Sequence, residues 1–226
     1  IMTSVLMVLT SQEQLGSTGK PTGWYLSEAA HPWKVFTEMG YEMTFMSPKG
    51  GKPQMDAVDL DDPIQAEFLA EFGDEGPQTA VPEMIDADQF NVIFYVGGHG
   101  TMWDFPHHPE IAELAATIYQ ANGVVAAVCH GPAGLLPIEL PDGTKLIDGK
   151  AVAGFTNSEE AAVGLTDVVP FLLEDELKKA GANHQAGPDF EPQTVVDGRL
   201  VTGQNPASAT AVAESVVAAI TRANAG

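Results

Sequence analysis

Short, almost wholly apolar runs return along the chain, and segments with helical patterning lie between them. This alternation limits the fold more than any other feature. Strands separated by crossover helices build a mostly parallel sheet covered on both faces. The strand candidates are SVLMVLT, EMTFMSP, NVIFYVGG, VVAAVC, AVAGFT and QTVVDGRLVTG. Several are continuously apolar, as strands buried on both sides must be. The helical segments carry readable ends. NPASATAVAESVVAAI opens with Asn205 as N-cap and Pro206 at the first helical position, and VPFLLEDELKKAG has lysines in its last turn with Gly181 placed to stop it.

Residues 47–76 break the rhythm. They are rich in Gly, Pro and Asp and read as a loop-rich excursion with one short helix, IQAEFLAEF. No linker, repeat or low-complexity tract divides the chain, so 226 residues are expected to form one α/β domain. The acidic residues number 31 against 10 basic, a net charge of -21. That balance argues against nucleic acid or an anionic membrane as partner. The first apolar stretch, SVLMVL, is too short for a membrane span and has the flanks of neither a signal peptide nor an anchor. One cysteine permits no internal disulfide, which suits a cytoplasmic setting.

That cysteine, Cys129, stands where an apolar strand stops and the breakers Gly131 and Pro132 begin. Groups at the carboxyl ends of strands in open α/β sheets face the ligand crevice. A helix starting after the turn would aim its amides at the sulfur and favour the thiolate. A free cysteine is also a common small core residue, so a catalytic role needs partners. His130 follows directly and could serve as base. Glu159 and Glu160, after the strand AVAGF, are both placed to orient a histidine; they are equally the acidic first turn of a helix capped by Asn157 or Ser158. Gly98, in YVGGHGTMWDF, lets backbone approach a ligand, and Glu28 lies on an early helix. His99, His107, His108 and His130 show no recognised zinc spacing, so no metal site is expected.

Five ordered segments then carry a resemblance: LTSQEQLGSTGKPTGWYLSEAAHPWKVF, GGHGTMWDF, AVCHGPAGLL, GFTNSEEAAVGLTDVVPFLLEDEL and LVTGQNPASA. Together they resemble the ThiJ/PfpI superfamily, related to the type I glutamine amidotransferase-like fold. The resemblance is strongest to its branch of heat-shock-type chaperones and glutathione-independent glyoxalases. It implies a flavodoxin-like three-layer α/β/α sandwich with a mostly parallel central sheet, commonly as a homodimer. It also implies a nucleophile at Cys129 with His130 beside it, a proton-transferring carboxyl at Glu28, and a triad acid in NSEE, at Glu160 rather than Glu159. Oxyanion donors would be the backbone amides near Gly98 and of His130.

The activity implied is conversion of methylglyoxal or glyoxal to the 2-hydroxy acid, through a Cys129 hemithioacetal and without cofactor. Three other readings stand beside it. The same triad could form an acyl-enzyme as a cysteine peptidase or amidase, and repair of early glycation adducts is a close relative of the glyoxalase reaction. The chain could also be a stress holding chaperone with the cysteine as redox sensor.

Overall fold

The structure, a computed structural model, describes residues 2–226. In chain order its elements are β1 (Ser4–Val8), β2 (Trp24–Tyr25), α1 (Leu26–Glu38), β3 (Glu42–Met46), β4 (Met55–Asp56), α2 (Pro63–Phe72), β5 (Val92–Tyr95), α3 (Thr101–Asp104) and α4 (Pro109–Gln120). There follow β6 (Val124–Val128), β7 (Ala151–Val152), α5 (Asn157–Ala162), α6 (Leu173–Lys179), β8 (Asn183–His184), β9 (Thr194–Asp197), β10 (Leu200–Gly203) and α7 (Ala209–Ala225). The main sheet runs β3-β1-β5-β6-β10-β9, parallel except at the β9 edge.

This is the flavodoxin-like α/β arrangement. The central strands β5 and β6 are buried at every position, so their continuous apolar sequence satisfies both faces at once. From β1 the chain crosses to β3 on one side, and from β5 to β6 on the other. Right-handed crossovers in opposite directions put α1 and α4 on opposite faces. α7 packs against α1. The change of direction falls between β1 and β5, and the crevice beyond their carboxyl ends is where such sheets hold ligands.

Several local expectations change. AVAGFT does not join the main sheet; only β7 forms there, paired with β8 in a separate two-stranded sheet. QTVVDGRLVTG folds into two antiparallel strands, β9 and β10, with Gly198 in the left-handed turn between them at φ 60°. Asn205 precedes a 3₁₀ turn, Pro206–Ser208, and makes no side-chain cap; the helix proper, α7, begins at Ala209. α6 has Lys178 and Lys179 in its last turn, with Gly181 at φ 93° just beyond. Within the 47–76 excursion, β4 pairs with β2, and α2 is capped by Asp62, whose side chain accepts from the Ile64 N–H at 3.0 Å.

Candidate active site

Cys129 directly follows β6 at φ 62°, a left-handed conformation that costs a non-glycine residue about 1–2 kcal/mol. Two backbone bonds hold it there. Its N–H donates to the Gly203 carbonyl at the end of β10, and its carbonyl accepts from the Phe155 N–H, both at 2.9 Å. After His130, residues Gly131–Leu135 form a 3₁₀ turn and not the α-helix expected to favour the thiolate. That expectation is corrected: burial first, and the Glu28 charge whenever that group is ionised, push the thiol well above its ordinary value, and the His130 N–H pulls it down less strongly. The sulfur rests as a thiol.

His130 lies between this thiol and a carboxylate. Its Nδ1 is 3.4 Å from Cys129 Sγ and its Nε2 is 2.6 Å from Glu160 Oε2. An ionised carboxylate only accepts, so Nε2 carries the ring proton and Nδ1 is the bare nitrogen facing the sulfur. Burial, then the neighbouring His99, hold His130 down at about 4 against the pull of Glu160. Burial pushes Glu160 up, but hydrogen bonds from His130 and His99 outweigh it and hold the group at about 2. A neutral imidazole on an ionised carboxylate is thus the resting pair near pH 7. The His130 ring also packs on Phe155, with centroids 4.3 Å apart.

The adjacent glutamates do different things. Thr156, not Asn157 or Ser158, caps α5, and Glu159 closes a capping box with it. The other Glu159 oxygen, Oε2, accepts from Phe190 N–H at 2.8 Å and Asn205 Nδ2 at 3.0 Å. Glu159 therefore ties helix, loop and strand end together, while Glu160, one position on, faces His130.

Glu28 lies in the first turn of α1, fully buried, and neither carboxyl oxygen has a hydrogen-bond partner. It sits beside the Cys129 thiol and the Gly97 N–H without good bonding geometry to either. Burial is the main cause that raises its pKa well above the carboxylate range, because a buried charge without a partner is costly. Glycine at 97 leaves the room Glu28 needs, since a Cβ there would collide with Glu28 Oε1 and the Val128 carbonyl. Gly98, at φ 120°, passes against the backbone of Gly23 and Trp24. Among the described residues, no backbone hydrogen bond engages the N–H of Gly98 or of His130.

One residue of the site carried no such role in the sequence reading. His99 Nε2 donates to Glu160 Oε1 at 2.6 Å, and its ring lies 4.0 Å from that of His130. Its only signal was a histidine among the glycines that follow β5. His99, His130 and Glu160 bring their donor atoms within 4.8 Å of one another, a grouping a metal ion could use. In the structure both imidazoles hydrogen-bond the one carboxylate, which links the three in a chain. His107 and His108 lie elsewhere, on the segment leading into α4, where His108 pairs with Glu110 at 2.7 Å.

The DJ-1/PfpI family pattern matches residues 22–219. The chain belongs to the DJ-1/PfpI family. Among its family relatives, Glyoxalase 3 of Candida albicans is 36% identical over 96% of this chain and 98% of its own length. The glutathione-independent glyoxalase HSP31 of Saccharomyces cerevisiae is 36% identical over 91% of this chain and 92% of its own. The crystal structure of glyoxalase III from Candida albicans superposes with a TM-score of 0.88 at 35% identity, covering 96% of this chain and 97% of that one. No helix among the described residues of this DJ-1/PfpI chain is long and apolar enough to cross a membrane.

Proposed function

We propose that this DJ-1/PfpI chain is a glutathione-independent glyoxalase that converts methylglyoxal or glyoxal to the 2-hydroxy acid at Cys129. The observation that carries the reading is the pairing of two proton-handling groups at one thiol: His130 Nδ1 at 3.4 Å and the buried, unpartnered Glu28 carboxyl beside it. Relatives named as glyoxalases, matching nearly the whole chain, support it.

The steps follow from the protonation states. Cys129 passes its proton to His130 Nδ1 as the sulfur attacks the aldehyde carbon. Glu28, protonated at rest, gives its proton to the developing alkoxide, near the amides of Gly98 and His130, which no backbone carbonyl engages. The hemithioacetal now faces an ionised Glu28, which takes the hydrogen from the carbon bearing sulfur and returns it to the neighbouring carbon. The hydroxyl proton moves from the first oxygen to the second, leaving a thioester. Water adds to the thioester carbon and gives one proton to Glu28, the thiolate leaves to release the acid, and His130 returns its proton to sulfur. A carboxyl of raised pKa suits this cycle because it must act first as acid and then as base.

A cysteine peptidase is less well supported. Cys129 is only 3% exposed, which suits a small aldehyde better than a peptide chain. The assay that tests the choice follows lactate from methylglyoxal without glutathione alongside release from a fluorogenic peptide amide. Lactate alone is expected; peptide cleavage without lactate would overturn the reading. As parts of the same proposal, the chain works as one domain, in the cytoplasm and as a homodimer, and light scattering on the purified protein checks the last point.

A further inference from the structure

We propose that His99 is a positioning residue of this site, holding Oε1 of Glu160 so that Oε2 is presented to His130. The inference rests on Cys129 and His130 as the reacting pair, not on the identity of the aldehyde. Two imidazoles share one carboxylate with bonds of 2.6 Å each. A carboxylate held at both oxygens cannot rotate away from either donor, and its plane fixes the tilt of the His130 ring. That ring must keep Nδ1 on the sulfur. His99 is also packed: its ring lies 4.0 Å from His130 and 5.9 Å from Phe155. The carboxylate and His130 are almost fully buried, at 3% and 1% side-chain exposure, whereas His99 is at 18%. His99 therefore closes the solvent side of the chain of hydrogen bonds.

The second effect is on charge. A donor on Oε1 draws negative charge from Oε2, so Glu160 stabilises an imidazolium at His130 less than a free carboxylate would. The other ionisable groups facing the His130–Glu160 pair are Cys129 after β6 and Glu159 from α5, while Glu28 from α1 and Tyr25 from β2 face Cys129. None of these donates to Glu160 in place of His99. Removing the donor should raise the basicity of His130 and loosen its ring.

The test uses His99→Ala, His99→Phe and His99→Gln. Phenylalanine keeps a ring against His130 and Phe155 without a donor, and glutamine restores an N–H at about the reach of Nε2. Two readouts are taken: the pH dependence of Cys129 alkylation by iodoacetamide, and kcat with KM for lactate formation. His99→Ala and His99→Phe are expected to move the acid limb of alkylation up by about one pH unit, from the loss of one hydrogen bond to a charged group. They should lower kcat about tenfold with KM within about twofold. His99→Gln should recover both. If His99→Ala does not fold, His99→Phe decides. A wild-type limb and kcat in His99→Phe, or a His99→Gln no better than His99→Phe, would overturn the proposal. A wild type that makes no lactate while the limb moves as stated would sink the glyoxalase reading and leave the positioning role standing.

Discussion

Cys129 Sγ and His130 Nδ1 face each other at 3.4 Å although the two residues are neighbours in sequence. Successive side chains of an extended strand point to opposite sides. The left-handed backbone of Cys129, at φ 62°, ends that alternation and turns both groups to one side. This geometry should show in stability. Cys129→Gly is expected to melt above Cys129→Ala, because glycine adopts that conformation freely while alanine keeps the strain. The expected gap is about 0.5–1 kcal/mol, the left-handed cost less the entropy glycine loses on folding. Denaturant melts of the two variants check it; an alanine variant as stable as the glycine one would mean the backbone is not strained.

Glu159 and Glu160 should differ in their effect on turnover. Glu160→Gln leaves His130 without its anionic partner and should lower kcat by about 10²-fold or more. Because the depressed carboxyl stabilises the fold above its ordinary range, the variant should also lose about 1–3 kcal/mol near pH 7. Glu159→Gln weakens the cap on Thr156 and the anchors to Phe190 and Asn205. It should cost about 1–3 kcal/mol of stability while the folded protein keeps most of its turnover. Thermal melts read beside steady-state rates distinguish the two.

Those two glutamates also mark how far the sequence could be read. The apolar runs of β1, β5 and β6 could be read directly, because burial on both faces leaves no other composition. A pair of adjacent acids on one short helix gave no such lead: their directions differ by about 100° around the axis, and only the position of His130 decides which meets it. His99 was hidden by its glycine neighbours, which read as a turn. The thiol was misjudged for a related reason. Gly131 and Pro132 suggested a helix and its dipole, but the segment folds as a 3₁₀ turn, and burial beside Glu28 dominates. AVAGFT looked like a central strand because its composition is that of one; in the fold, the β9–β10 hairpin occupies the place beside β6.

Glu28→Gln should trade activity for stability. The buried carboxyl has no partner and its pKa is raised in the fold, so its stabilising contribution belongs to the protonated form and is lost as pH rises. The neutral amide should be no less stable than wild type at pH 8, yet turnover should fall at least about 10²-fold. With proton transfer blocked, intact-mass spectrometry should find a methylglyoxal adduct held on Cys129. Normal turnover in this variant would remove Glu28 from the mechanism.

Asp104 offers a pH test away from the reacting atoms. Its carboxylate accepts from the Thr10 hydroxyl and the Ser11 N–H at 2.8 Å, joining the end of β1 to α3. Burial raises its pKa to about 6 despite these bonds. A raised folded-state value means the contribution is fully present below pH about 4 and is lost as pH rises through about 6. Asp104→Asn stays neutral throughout, so it should gain stability relative to wild type between pH 4 and 7, by about 3 kcal/mol as an upper bound. Urea melts across that range check it, and parallel profiles for the two proteins would refute the assignment.

The central claim is that the Cys129 thiol turns over a small dicarbonyl without a thiol cofactor. Lactate formed from methylglyoxal by purified protein in glutathione-free buffer, compared with Cys129→Ala, tests it most directly. The account predicts steady lactate production by the wild type and none above background from a folded Cys129→Ala. Full lactate production by that variant would contradict it.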